Sequence, residues 1–171
     1  MRIRTIEHGN LVDEETARFM AERGVYAVPT LVTYEALAEE GAALGLPPDS
    51  VAKIADVREA GLRSLEIFQR AGVKMAYGTD LLGEMHRHQS SELVIRARVL
   101  PAFEVIRSAT TVAAEVLRME GRLGVIAPGA LADLLVVDGN PLADLGVLLD
   151  QGAHIDAIMK GGRFHKNRLV A

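Results

Sequence analysis

Asp80 closes the run Tyr77-Gly78-Thr79-Asp80, and His8 closes Thr5-Ile6-Glu7-His8 before a glycine. Each follows a short β-prone stretch, residues 3–8 and 73–77, so each polar side chain stands where a strand gives out into a loop. α/β barrels keep their chemistry at that end of their strands. A carboxylate placed there can ligate a divalent metal or take a proton from water that the metal activates. It can equally cap the segment that follows it. Imidazole and carboxylate suit one divalent ion together, the first as a borderline ligand and the second as a hard one. The other reading of His8 is a strand-end histidine satisfied by a hydrogen bond. His86 and His88, two apart in the polar segment after Asp80, could bind substrate or move a proton, since histidine titrates near neutral pH; they also read as ordinary solvated residues. Glu7 should face away from His8 along a strand, and His154 and His165, in the tail, read as structural.

The elements that must position these residues repeat as strand, loop and helix. After the first strand, Asp13 can cap a helix through residue 23, with Glu14 and Glu15 at its positive end, Phe19 and Met20 on its apolar side, and Gly24 stopping it. Residues 25–28 form the next strand, ended by Pro29-Thr30. Residues 34–44 favour helix, and a longer helix over 50–71 carries Ile54, Leu62, Leu65 and Phe68 at helical spacing until Gly72. The strand at 73–77 then delivers Asp80. Strands near residues 3, 25 and 73, each followed by helix, predict parallel β/α units. Further helices are expected at 91–99, 101–107 and 110–120. From Gly124 the character changes to a turn-bounded β run that includes 134–138. A short helix over 142–149 follows, and then a hairpin of 155–160 with 163–165 around Gly161-Gly162.

The composition narrows the function. With 171 residues, 49% of them hydrophobic and 25% charged, the chain is globular and either one domain or part of a larger fold. A net charge of -4 with scattered basic residues and 4% aromatics gives no nucleic-acid surface. There is no cysteine, which excludes disulfides and thiol catalysis. No apolar run approaches the roughly 20 residues of a membrane span, and the first residues lack a signal-peptide core, so a cytoplasmic protein without membrane contact is expected.

Thr5-Ile6-Glu7-His8-Gly9, Val28-Pro29-Thr30-Leu31, Gly78-Thr79-Asp80 and the tail from Gly124 through Pro128-Gly129-Ala130-Leu131-Ala132-Asp133 to Asp138 together resemble the carboxyl-terminal part of an amidohydrolase. The resemblance is to the imidazolonepropionase-like and Xaa-Pro dipeptidase-like branch of these metal-dependent hydrolases, and it covers almost the whole chain. It implies the sixth, seventh and eighth strands of a (β/α)8 TIM-like barrel over residues 1–121, and part of a small accessory β-sandwich over 122–171. By motif, His8 matches the metal-site histidine of strand six. Asp80 matches the strand-eight aspartate that touches the metal and acts as general base, and His88 or His86 belongs to the substrate-facing loop after it. The implied cofactor is one or two divalent ions, zinc first. The implied reaction is hydrolysis of an amide in a dipeptide, an N-acyl amino acid or a cyclic amide. Such enzymes carry further ligands on their first, fourth and fifth strands, which this chain does not reach. The expectation is therefore a fragment that is catalytically silent alone. The alternative is a non-catalytic α/β module that associates with itself or another chain through the open barrel edge.

Overall fold

Asp13 begins the first helix as its sequence requires: its Oδ1 accepts the backbone N–H of Thr16 at 2.7 Å, a bond that holds the Asp13 carboxyl below its usual range. The computed structural model describes residues 3–169; residues 1–2 and 170–171, the extremities of the expected domains 1–121 and 122–171, lie outside the described residues. Two compact units form, Met1–Leu100 and Pro101–Ala171.

In the first unit, β1 (Thr5–Glu7) pairs in parallel with β2 (Tyr26–Val28), and β2 bridges in parallel to Met75. The order in space therefore follows the order in the chain, as successive β/α units require. The strand expected at 73–77 is reduced to that single bridge, held by the N–H of Ala27 on the Lys74 carbonyl and the N–H of Ala76 on the Ala27 carbonyl. Its other side has no ladder partner among the described residues, so no second row of hydrogen bonds extends it. Helix α1 spans Glu14–Arg23, α2 Leu31–Glu40 and α3 Pro48–Ala71. α2 starts three residues before its expected position, directly after Thr30, and α3 starts at Pro48, a favoured residue for a first turn.

The core of this unit joins Ala17 and Met20 of α1, Ala27 of β2, Phe68 of α3 and Val73. Phe19 is not part of it: the ring is 54% exposed and lies under the Arg23 guanidinium, because only one side of α1 meets the sheet. On α3 the expected stripe holds for Ile54, Leu65 and Phe68, with Leu62 half-buried and Ala60, Gly61 and Ser64 completing the face. A 3-10 helix over Gly83–His88 and the short α4 (Ser91–Arg96) follow the Asp80 loop.

The second unit opens with α5 (Ala102–Ala109) and α6 (Thr111–Val116), the latter ending earlier than expected. The change from helix to turns near residue 121 falls inside this unit. Gly124 rests so closely on α6's start that a Cβ there would come within 2.5 Å of the Thr110 carbonyl. Of the β run from Gly124, only β3 (Leu134–Val137) is strand; the rest is turn, bend and irregular backbone. β3, β4 (Ile155–Lys160) and β5 (Arg163–Asn167) form an antiparallel sheet in that order. Asp133 ties its two ends: its Oδ1 accepts the N–H of Gly161 at 2.6 Å, while the Ala132 carbonyl accepts the N–H of Gly162. The Ala132-Asp133 motif therefore fastens the start of β3 to the β4–β5 turn. The helix expected over 142–149 is a 3-10 turn at Leu145–Leu148. His154 and His165 are exposed on this unit, so neither side chain has a core role.

Candidate metal and hydrolysis site

His8 extends the β1 ladder by one bond, its N–H donating to the Val28 carbonyl at 3.0 Å, and then turns the chain with φ 64°. Asp80, leaving the 73–77 segment, has φ 51°. Both are left-handed backbones on residues that carry side chains, a conformation that is costly and gathers at functional sites. The turns bring His8 Nε2 within 3.9 Å of Asp80 Oδ2, with the two side chains 45% and 58% exposed. Asp80 does not cap the following 3-10 helix, whose N-cap is Leu82 without a side-chain bond.

Threonines hold both residues. Thr30, at the start of α2, makes no cap bond; its Oγ1 lies 2.8 Å from His8 Nδ1. With Nδ1–H as the donor, the lone pair of Nε2 is left facing Asp80, the arrangement by which an outer hydrogen bond orients a ligating imidazole. Thr33 Oγ1 donates to the Thr79 carbonyl, which pins the residue before Asp80. Gly78 makes the close approach possible, since a Cβ there would meet Val28 Cγ1 at 2.6 Å. Tyr34 is half-buried nearby; burial pushes its phenol up, and the negative charge of Asp80 adds to the rise.

His86 and His88 do not join this pair. His86 is exposed on the 3-10 helix, while His88 Nε2 lies 2.6 Å from Glu40 Oε1, with Arg87 at 2.6 Å from the other carboxylate oxygen. The His88 hydrogen bond, and after it Arg87, holds the Glu40 carboxyl below its usual range.

Beside the site lies a pair that the sequence reading passed over. Glu92 and Arg96 of α4 are both 0% exposed and meet through Arg96 Nε and Glu92 Oε1 at 2.7 Å. Burial pushes the Glu92 carboxyl up against the opposing pull of Arg96 and the backbone N–H groups of Val32 and Leu31. The Arg96 guanidinium also stands 5.2 Å from the centre of the Tyr77 ring, whose hydroxyl donates to the Gln89 carbonyl.

An imidazole nitrogen and a carboxylate oxygen are the right donors for a divalent ion. Ligands that share a zinc ion at ~2.0–2.2 Å lie roughly 3–3.5 Å apart, so the 3.9 Å gap needs only a small side-chain rotation. They are two donors and no more: among the described residues no three His, Cys, Asp or Glu side chains gather as a metal-binding group.

The model of the amidohydrolase family matches residues 2–164 of this chain. A prolidase solved in complex with N-methylphosphonate-L-proline is 60% identical with a TM-score of 0.92, over 96% of this chain and 40% of that one. A Xaa-Pro dipeptidase with methionine in its active site is 33% identical with a TM-score of 0.82, again over 96% and 40%. Ochratoxinase of Aspergillus niger is 28% identical over 165 residues, covering 95% of this chain and 34% of that protein. The chain thus spans well under half the length of the relatives it matches.

Proposed function

This chain belongs to the amidohydrolase family, and we propose that within a whole protein it supplies His8 as a metal ligand and Asp80 as both metal contact and general base. The reaction is hydrolysis of an amide bond in a small molecule, with a dipeptide ahead of an N-acyl amino acid or a cyclic amide. Likeness to the prolidase and to the Xaa-Pro dipeptidase supports that order. In this reading β1, β2 and the 73–77 segment are strands six to eight of a (β/α)8 barrel, a role their parallel order suits. Residues 122–171 belong to the accessory β-sandwich.

When bound by His8 and Asp80 together with ligands from the rest of the barrel, a divalent ion, zinc first, would supply Lewis acidity toward the amide carbonyl and a water acidified to a pKa of about 7. His8 presents Nε2 while Thr30 fixes its ring through Nδ1. Asp80 takes the proton of the attacking water on a carboxylate oxygen and delivers it to the leaving nitrogen. His88, hydrogen-bonded to Glu40, belongs to the substrate-facing loop rather than to the pair that moves the proton.

The observation that carries this reading is the convergence of His8 and Asp80 at 3.9 Å on two left-handed backbones. In the full-length protein Asp80→Asn should lower kcat about 10²–10⁴-fold with little change in KM, as loss of a general base does; an unchanged rate overturns the base assignment. The isolated chain offers two ligands where catalytic zinc sites use three, so it should be silent. Zinc content and dipeptidase assays on the chain with and without the rest of the barrel check this, and robust activity from the chain alone refutes it.

A further inference from the structure

We propose that Glu92 and Arg96 are positioning residues for the His8–Asp80 site, holding its two sides from one buried ion pair. The inference rests on the function proposed above, because it needs His8 and Asp80 to be the reacting pair.

The geometry runs in two arms. Arg96 Nη2 donates to the Pro29 carbonyl at 2.6 Å, and the next residue, Thr30, holds His8 Nδ1 at 2.8 Å. Arg96 Nη1 donates to the Ala76 carbonyl at 3.1 Å, in the segment that ends at Asp80. Glu92 Oε2 accepts the N–H of Val32 at 2.7 Å in the first turn of α2, and the neighbouring Thr33 bonds the Thr79 carbonyl. Each candidate ligand is thus one or two hydrogen bonds from the pair. Both side chains are 0% exposed, and a fully buried ion pair is a weak source of stability compared with apolar side chains of the same volume. What an apolar pair could not supply is direction. The planar guanidinium reaches two carbonyls on two different strand ends at once, a fork that lysine lacks. The carboxylate meets the positive end of α2 with the geometry of a cap supplied from another helix.

Arg96→Lys in the full-length protein separates positioning from mere filling, since it keeps the charge and loses the fork. The expected result is a fall in kcat of about 10–100-fold with KM within about twofold, the size seen when partners of ligating residues are removed. Backbone amides of residues 8–10 and 78–82 should exchange with deuterium faster, and those of α1 and α3 should not. In an Asp80→Asn background the extra loss of kcat should vanish, because the step it serves is already gone. Glu92→Gln, which keeps volume and the acceptor for Val32, should show the same pattern more weakly and covers the case in which Arg96→Lys folds poorly. Faster exchange throughout the first unit, an undiminished effect in the Asp80→Asn background, or no change in either readout would overturn the proposal. If Asp80→Asn itself leaves kcat intact, the base assignment fails, and the local exchange pattern alone then decides for or against positioning.

Discussion

Asp80 and His8 sit at φ 51° and 64°, where a Cβ costs roughly 1–2 kcal/mol relative to glycine. Arg118, Asp150 and Gln151 share that backbone, so it is the two angles together with the 3.9 Å approach of the side chains that point to chemistry kept at the expense of stability. Asp80→Gly should therefore be at least as stable to urea as the parent, whereas Asp80→Val should lose about 1–2 kcal/mol, and both should abolish hydrolysis. A clear drop in the urea midpoint for Asp80→Gly would show that the carboxylate stabilises the fold and that the strain argument is wrong. The two residues were legible in the sequence because a polar side chain after a β-prone run marks a strand end whatever the fold does next. Their backbone angles were not, since φ there is set by how the loops close on Thr30 and Thr33, far away in the chain. Glu92 and Arg96 were missed for a related reason. An acid four residues before a base reads as a solvated helix pair, and only the docking of α4 takes both to 0% exposure.

Between elements, the contacts that matter are few and directional. Arg96→Met would leave the Glu92 carboxylate buried without its counter-ion, which costs about 3–5 kcal/mol. Glu92→Leu/Arg96→Met together should be less destabilised than Arg96→Met alone, and guanidinium midpoints of the variants test that coupling. Gly78→Ala places a methyl 2.6 Å from Val28 Cγ1 and should cost about 1–3 kcal/mol, a loss that Val28→Ala in the same chain partly reverses. Equal losses with and without Val28→Ala would mean that the clash is elsewhere. The pin between α2 and the 3-10 helix, Glu40 with His88 and Arg87, depends on pH. Glu40 titrates lower when folded than its ordinary 4.5, so its contribution is present above that value and is lost as pH falls through the lower folded one. Glu40→Gln should flatten the acid limb of a melting-temperature profile; an unaltered limb would show that the pin contributes nothing. Helices were the most readable elements, because Asp13, Gly24 and Gly72 mark their ends chemically. The strand at 73–77 was over-read, since its residue types are right and its pairing is decided by which neighbours are present.

At the scale of the whole molecule, the sheet of the first unit has β2 in the middle, β1 on one side and the Met75 bridge on the other. Both outer edges lack ladder partners among the described residues, and Ile3 beside β1 is 70% exposed. Parallel sheets normally have both faces covered, and unpaired edge backbone of this kind is a template for another strand. On the family reading the rest of the barrel covers it in a whole protein, and in the isolated chain a second copy is the expected cover. The isolated chain should therefore self-associate with rising concentration in size-exclusion chromatography with light scattering, and co-expression with the rest of the barrel should abolish that. Thr5→Lys would place a charge on β1 without entering the core that Ile6 packs against, and should shift the chain toward monomer. A chain that stays monomeric at about 100 μM and keeps a cooperative melt would count against an open edge. It would then favour a first unit that is complete in itself, in which His8 and Asp80 need not be half of a larger site.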